Sequence, residues 1–264
     1  MKVSVTLLLL AICVQVQAQT ASKDLVEKMV ANENFAEQHR GYYTYLSKER
    51  SERTGGHLWT EQVTETTVGK VRMLLAEDGQ PLASDRLAAE RARLVEIAAH
   101  PEAFERREQA LKNDEHHAKE LLTLLPKAFL FDPPAREGEF TRIRFRPNPA
   151  YEPQSMEERV LHGMAGSVLI DPAMRLHEID GRLPEDVTIG FGLIATIKAG
   201  SHFETMRNRV AGDEWKTAVL DTDIDGRAIF FKTIGKKEHA EHSEFKVLSN
   251  DLTVPQAVAI SSGR

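Results

Sequence analysis

The sequence predicts an α+β fold in which a large, mostly antiparallel β-sheet is interrupted by one pair of amphipathic helices. Short runs of β-forming residues recur along the chain and are separated by turn signals. Helical periodicity is confined to the N-terminal part and to residues 84–126, and no helix separates the successive strands that follow. A sheet with this many strands usually curls around its apolar face.

The first 18 residues have the features of a cleaved secretory signal peptide. Lys2 gives a positive start, the stretch from Val3 to Val14 is apolar, and Val16-Gln17-Ala18 supplies small residues for cleavage after Ala18. This apolar stretch is shorter than the roughly 20 residues that a membrane-spanning helix needs. The alternatives are a buried N-terminal segment and lipid attachment at Cys13, where the preceding Ile12 is bulkier than lipoprotein processing generally prefers.

Composition excludes several classes of function for the processed chain, residues 19–264, which we expect to form a single domain. The full chain has 34 Lys and Arg residues and 40 Asp and Glu residues, a net charge of −6, which becomes −7 when Lys2 is removed and argues against a nucleic-acid partner. Cys13 is the only cysteine, so the processed chain has no disulfide, thiolate zinc site or cysteine nucleophile. Its length suffices for a core without disulfides, and no later segment is apolar enough to predict a membrane span.

The N-terminal part of the processed chain combines one helix with the first strands. Residues 20–40 carry apolar residues at helical spacing: Leu25, Val26, Met29 and Val30. Extended structure is then predicted from Gly41 to Lys48, around Val63 to Val68, and from Lys70 to Leu75. Asp78-Gly79 is a turn signal after the last of these strands.

A helical hairpin is predicted at residues 84–126. Ser84 is a plausible N-cap for the first helix, and Pro101 suits the first turn of the second. The second helix carries Phe104 and Leu111 on its apolar face and is expected to end near Pro126.

An antiparallel meander is predicted from about residue 127 to residue 248. The clearest strand is Thr141–Arg146, in which Ile143 and Phe145 point inward and three arginines point outward. Asp171-Pro172, Gly200-Ser201 and Asp225-Gly226 are the expected turns. The other predicted strands are Val160–Asp171, Arg175–Asp180, Ile194–Ala199, His202–Val210, Trp215–Ile224, Arg227–Ile234 and Glu244–Leu248.

Neither a metal site nor a cofactor is predicted. Asp221–Gly226 matches the first half of a calcium loop, but Lys232 stands where the chelating glutamate belongs, so a hairpin turn is the favoured interpretation. The histidines could in principle bind zinc, but His239 and His242 lie in a Lys- and Glu-rich stretch typical of a solvated loop. His177 has no second histidine at helical spacing.

No catalytic residue is predicted. The sequence lacks a Gly-x-Ser-x-Gly elbow, and its nearest approaches are Ala165-Gly166-Ser167 and Gly200-Ser201-His202. A Ser–His–Asp triad assembled from distant positions stays open as an alternative.

The remaining candidate site is apolar. A curled sheet partly closed by two amphipathic helices can leave a pocket between them, and methionine suits cavities that take flexible apolar ligands. Ordinary core packing is the alternative for each of these residues. The candidates for the lining are Phe104, Leu111, Ile143, Phe145, Met164, Val168, Ile170, Met174 and Leu176.

The chain resembles the envelope protein family related to the outer-membrane lipoprotein carrier of Gram-negative bacteria, a fold also used by lipid carriers and by a stress-sensing anti-sigma-factor partner. The helical start, the strand from Gly41 to Lys48 and the helix pair carry the likeness, as do the stretches Met164–Asp171 and Arg175–Leu183. The likeness covers most of residues 22–248 and has no diagnostic motif. The charged helix pair and the segment from Arg136 to Tyr151 depart from the carrier pattern.

The resemblance implies a strongly curved antiparallel sheet, or half β-barrel, with the helix pair covering its concave face. It also implies a periplasmic, non-catalytic protein that binds a lipid or acylated protein in an apolar cavity, as a carrier or sensor, and that has an envelope membrane protein as a further partner. The alternatives are an envelope structural or protein-interaction module without a ligand, and an uncharacterised hydrolase.

Overall fold

The computed structural model describes residues 2–189, 195–211, 214–228, 233–250 and 252–263, with side chains outside 2–19, 110–121, 189, 228 and 233–234. The helices are α1 (Lys2–Gln38), α2 (Ser84–Ala99), α3 (Pro101–Ala128), α4 (Met156–His162) and α5 (Val254–Ser261). The first strands are β1 (Tyr42–Ser51), β2 (Trp59–Glu65), β3 (Lys70–Glu77), β4 (Gln80–Pro81), β5 (Phe129–Phe131), β6 (Ala135–Glu137) and β7 (Phe140–Pro147). The later strands are β8 (Ala165–Ile170), β9 (Leu176–Arg182), β10 (Val187–Ile189), β11 (Ala195–Ile197), β12 (His202–Ala211), β13 (Glu214–Ala228) and β14 (Thr233–Leu248).

The fold is α+β with one open, antiparallel, fourteen-stranded sheet, which confirms the predicted class. The main path is β4-β3-β2-β1-β14-β13-β12-β9-β8-β7-β5, with β6 on β7 and the β10–β11 pair joined to β13. The predicted meander is too simple, because β1 pairs with β14 and β12 pairs with β9. Three sets of strands that are close in sequence, β1–β4, β5–β9 and β12–β14, are therefore joined by these two long-range pairings.

The predicted turn at Asp225-Gly226 is wrong. β13 continues through both residues, and Gly226 pairs with Ile197 of β11. The Asp225 carbonyl accepts a hydrogen bond from Lys198 N at 2.7 Å, and Asp225 N donates to Ser201 Oγ at 3.1 Å. Asp225-Gly226 favours a turn by its local sequence, but pairing with the distant β11 keeps this dipeptide extended. The calcium-like motif is accordingly a strand.

Two further boundaries differ from the prediction. Residues 156–162 form α4, where the sequence predicted that a strand begins at Val160, because the Ser155 side chain caps the helix by accepting from Glu158 N at 3.1 Å. His239 and His242 lie within β14, where a loop was predicted.

Helix α5 was not predicted, although the sequence carries a signal for it. Thr253 and Gln256 form a reciprocal capping box, and Pro255 stands in the first turn. The pattern Thr-x-x-Gln at residues 253–256 was the available clue.

The chain divides into two compact units, which are described separately below. Unit 1 comprises Met1–Gln38, Glu120–Met206 and Ile224–Gly235, and unit 2 comprises His39–Lys119, Arg207–Asp223 and Lys236–Arg264.

Unit 1 is built around an apolar core between its part of the sheet and two helical segments. The second half of α1 contributes Val26 and Met29, both fully buried, and Val30, as the predicted helical spacing requires. Leu125 and Ala128 come from the end of α3, and Phe129 and Phe131 come from β5. A second, smaller cluster contains Met164, Leu183 and Ile197.

Unit 2 has apolar clusters of its own. Val71 and Met73 of β3 pack with Leu94 of α2, with Phe104 of α3 and with Val254, Ala257 and Val258 of α5. A separate cluster contains Tyr43, Tyr45 and Val63, with Phe245 packed against them. Two helices are present in the range where the helical hairpin was predicted, and both contribute to the first of these clusters.

A bulge in β14 stores backbone strain at Glu244. The register of β1 against β14 shifts between Thr44 and Leu46, and Glu244 has a φ of 58° with an exposed side chain. A left-handed backbone disfavours residues with a Cβ, so we expect Glu244→Gly to raise the free energy of unfolding by about 1 kcal/mol. Urea unfolding checks this, with Glu241→Gly as a strand control that should lose stability. Equal losses in the two variants would contradict the assignment of strain to this position.

Among the helical residues that the structure describes, no segment is both long enough and apolar enough to cross a membrane.

Candidate functional site

The predicted apolar residues are distributed over both units. Five of them lie in the unit 1 core at 0–5% exposure, namely Ile143, Phe145, Val168, Ile170 and Leu176. Met174 is partly buried against this core, whereas Met164 belongs to the smaller cluster of unit 1. Phe104 lies in unit 2, and Leu111 lies in α3 outside the described side chains. The structure thus brings six of the nine together, and their role in ligand binding stays a prediction.

The unit 1 core is closed on one side by α1, which polar contacts hold to the turn between β8 and β9. Glu33 Oε1 accepts hydrogen bonds from Arg175 Nε at 3.1 Å and from Leu176 N at 3.0 Å. Asn32 Nδ2 donates to the carbonyls of Ala173 and Met174, both at 3.1 Å.

Farther back along α1, Ser22 Oγ donates to the Asp132 carbonyl at 2.7 Å. The apolar stripe that includes Val26 and Met29 lies between these anchoring contacts. The arrangement is therefore an apolar layer between helix and sheet with polar attachments toward each end.

Unit 2 contains a buried ionic cluster that the sequence did not predict. Its carboxylates belong to Glu49 of β1 and Glu61 of β2, whose side chains are only 8% and 4% exposed. The Arg53 guanidinium donates to both oxygens of Glu49, through Nε at 3.0 Å and Nη2 at 2.7 Å. It also donates to both oxygens of Glu61. Arg72 Nη1 approaches Glu61 at 3.4 Å, and Arg53 lies over the Trp59 ring at 5.3 Å.

The cluster fixes the charge of Glu49. Burial works against ionisation of Glu49, but hydrogen bonds from Arg53 and Ser51 and the charge of Arg72 outweigh it and lower the pKa of Glu49 to about 2. Glu49 therefore carries no exchangeable proton at neutral pH and is unsuited to general acid–base chemistry. Strand alternation was the signal in the sequence that could have indicated burial of Glu49. Residues 43, 45, 47 and 49 share one face of β1, and Tyr43 and Tyr45 on that face are buried.

His242 and Ser47 face each other across β14 and β1 but do not form a nucleophile–base pair. Ser47 is fully buried, and its hydroxyl has no hydrogen-bond partner among the residues that the structure describes. Burial lowers the pKa of His242, and its Nδ1 lies 3.1 Å from the Thr217 carbonyl. The neutral ring therefore donates to the backbone from Nδ1, and it lies 5.0 Å from the Tyr45 ring.

The serines singled out in the sequence hold strands together. Ser167 Oγ donates to Asp180 Oδ2 at 2.5 Å and accepts from Arg142 Nη1 at 2.8 Å. Ser201 Oγ contacts Asp225, as described above. Neither hydroxyl contacts a histidine through any interaction seen in the described part of the chain, so neither has the geometry of an activated nucleophile.

Histidine and carboxylate groups form no metal cluster in the described ranges, where no three His, Cys, Asp or Glu residues are suitably grouped. The His177 ring stacks on Phe140 at 4.5 Å, and His239 Nδ1 lies 3.0 Å from Asp221.

A surface cavity of about 460 Å³ lies beside the β3–β4 turn of unit 2. Its charged groups pair with one another, since His57 Nδ1 lies 2.7 Å from Asp78 and Arg86 lies 3.0 Å from Glu77. The hydrogen bond with Asp78 raises the pKa of His57. The cavity is therefore polar and internally neutralised, unlike an acyl-chain site.

Comparison of the chain with protein-family models, curated proteins and solved structures gave no match.

Acid should weaken the folded state through Glu49. Its folded pKa of about 2 lies below the ordinary value of 4.5, so ionised Glu49 stabilises the fold above pH 4.5 and loses this effect as pH falls towards 2. The full pKa change would correspond to about 3 kcal/mol, and solvent screening of the partly accessible Glu49 reduces the expected contribution to about 2 kcal/mol. Unfolding measured across this range should show a shallower acid decline for Glu49→Gln than for the wild type.

The exposed neighbour Glu52 provides the control for the substitution itself, and Glu52→Gln should change the free energy of unfolding at neutral pH by less than about 0.5 kcal/mol. A Glu49→Gln profile parallel to that of the wild type would contradict the assignment.

Proposed function

We propose that this chain is a non-catalytic, periplasmic envelope protein that binds a lipid or an acylated protein between α1 and the sheet of unit 1. The supporting observation is the apolar layer described above, which gathers six of the nine residues predicted from the sequence. The resemblance to the lipoprotein carrier family motivates the same ligand class. In this proposal the sheet curves into a half barrel and the helix pair covers its concave face.

The composition of the layer suits a flexible ligand. Met29 of α1 and Met174 of the β8–β9 turn both belong to it. Methionine side chains adjust to irregular apolar shapes at little energetic cost. An acyl chain would replace contacts of the α1 stripe while Glu33 and Asn32 keep the end of α1 attached.

A second candidate is an envelope interaction module that binds no ligand. It is favoured by the close burial of Ile143, Val168 and Ile170, at 0–1% exposure, since a well-filled core leaves little volume for a ligand.

Native mass spectrometry with lipid extraction distinguishes the two candidates. The protein is exported in a Gram-negative host, purified gently and compared as wild type, Met174→Glu and Met156→Glu. Met156 lies in α4 at 41% exposure and is the matched control.

We expect an acyl-lipid adduct on the wild type and on Met156→Glu, and at least a tenfold lower occupancy on Met174→Glu, because a charge in the apolar layer is strongly disfavoured. A bare wild-type mass, unchanged after incubation with phospholipid vesicles, would reject ligand binding and favour the interaction module.

A further inference from the structure

One edge of β3 is closed by side chains instead of by a strand. β2 pairs with β3 from Lys70 to Glu77, whereas β4 pairs with β3 only at Ala76 and Glu77. Because alternate residues of a strand direct their backbone groups to the same edge, Lys70, Arg72 and Leu74 belong to one edge. A free edge of this kind is a template for strand addition.

Three charged side chains of the helix pair occupy this edge. Glu108 Oε2 of α3 accepts from Lys70 N at 3.1 Å, and Glu90 Oε1 of α2 accepts from Leu74 N at 2.9 Å. Between them, Arg93 Nη2 donates to the Arg72 carbonyl at 2.6 Å. The three contacts follow the two-residue repeat of the strand and satisfy the groups that an added strand would satisfy.

Other features hold these side chains in place. Arg93 donates through Nε to Glu90 at 2.8 Å, and the Glu90 side chain is 12% exposed. Burial opposes ionisation of Glu90, but hydrogen bonds from Arg93 and Leu74 N lower its pKa. Glu108 lies so close to Gly69 that a Cβ on that glycine would overlap its Cβ and Cγ. The sequence thus leaves room for Glu108 at the end of the edge.

We propose that Glu90, Arg93 and Glu108 form a lock on the β3 edge, and that opening the lock lets β3 pair with β3 of a second copy of this chain. Lys70 and Leu74 are each two residues from Arg72. In an antiparallel pair centred on Arg72, Lys70 of each copy therefore lies opposite Leu74 of the other copy. Such a two-fold pair uses the same patch on both copies. Val71, Met73, Leu74 and Leu75 make this segment apolar and β-forming, as edge-to-edge association favours.

The test compares two triple variants of the full chain that remove equal charge. Glu90→Ala, Arg93→Ala and Glu108→Ala open the lock, while Arg91→Ala, Glu96→Ala and Glu105→Ala change exposed residues of the same helices. Hydrogen exchange reports on residues 70–75, and sedimentation velocity reports on mass over a hundredfold range of protein concentration.

We expect at least tenfold faster exchange at the edge amides of Lys70 and Leu74 in the dilute lock variant, and unchanged exchange at Val71 and Met73, whose amides face β2. As concentration rises, we expect a doubled mass and renewed protection of the edge amides. The control variant should match the wild type in both measurements. Unchanged exchange would show that the side chains do not close the edge. Faster exchange without any increase in mass would show that the opened edge does not pair with itself.

Glu108→Ala alone keeps the test decisive if the triple variant does not fold. This substitution removes the acceptor of Lys70 N and the ion pair of Glu108 with Arg107. Folded Glu108→Ala with wild-type exchange at Lys70 and wild-type mass would overturn the proposal.

Discussion

Replacing Arg53 with methionine should lower the free energy of unfolding by about 3 kcal/mol. The substitution keeps much of the side-chain length but removes four hydrogen bonds to Glu49 and Glu61. Two carboxylates at 8% and 4% exposure would then keep Arg72 as their shared ion-pair partner, at 3.9 Å from Glu49 and 3.4 Å from Glu61. Breaking a buried ion pair on one side leaves uncompensated charge, which is more damaging than removing both partners. Breaking a buried ion pair usually lowers the free energy of unfolding by about 3–5 kcal/mol. Because Arg53 itself is 39% exposed, we expect a loss at the lower end of this range.

Urea unfolding of three variants tests this reasoning. Arg50→Met, at an exposed arginine near the end of β1, should change stability by less than about 0.5 kcal/mol. Arg53→Met combined with Glu49→Gln and Glu61→Gln should lose less stability than Arg53→Met alone, because the buried charges are gone. A triple variant that is less stable than the single variant would show that packing, and not charge, sets the contribution of Arg53.

Gly166→Ala should be at least as damaging, with an expected loss of about 3 kcal/mol or more. Gly166 of β8 lies opposite Phe145 on one side and Gly181 of β9 on the other. An added Cβ would overlap the Asp180 carbonyl and would lie 2.9 Å from Gly181 Cα. These neighbours are backbone atoms of a paired strand, so no side-chain rotation relieves the overlap. The β8–β9 pairing itself has to open.

Gly200→Ala separates overlap from backbone preference. Gly200 has a φ of 87° and nothing within 4 Å of an added Cβ, so the alanine variant should lose only the roughly 1–2 kcal/mol of a left-handed residue. Thermal unfolding by circular dichroism, with hydrogen exchange at residues 165–182, compares the two. If Gly166→Ala were as stable as Gly200→Ala, the close approach of the strands at Gly166 would be wrong.

Local sequence pattern predicted the elements whose apolar spacing agrees with their final environment. The stripe of Val26, Met29 and Val30 predicted a helix, and the alternation of Ile143 and Phe145 predicted a strand, since each pattern matches one buried face. The turn signal at Asp225-Gly226 misled because pairing with β11 decides that backbone. No local pattern reports a partner so far away in sequence.

The apolar candidate residues could be predicted from the sequence, whereas the buried ionic cluster could not. Apolar candidates such as Val168 and Leu176 were placed on inward faces by alternation, and they lie together in unit 1. Glu49 and Glu61 were missed because charged residues are usually counted as surface, and only their arginine partners make burial tolerable. Which apolar residues share a cluster depends on strand order, and β12 next to β9 or β1 next to β14 is not encoded in either strand alone.

The pairing of β1 with β14 has a consequence for how the chain acquires its structure. Tyr42 lies opposite Leu248, so β1 can complete its pairing only after a strand far along the chain has been made. Bringing such distant segments together loses chain entropy before any contact compensates for it, and topologies of this kind fold slowly. The β1–β14 pairing of unit 2 therefore forms late. Until it forms, the hairpin of β1 and β2 has an unpaired edge on β1. A chain in that interval exposes an unpaired strand edge, which makes it prone to association with other chains.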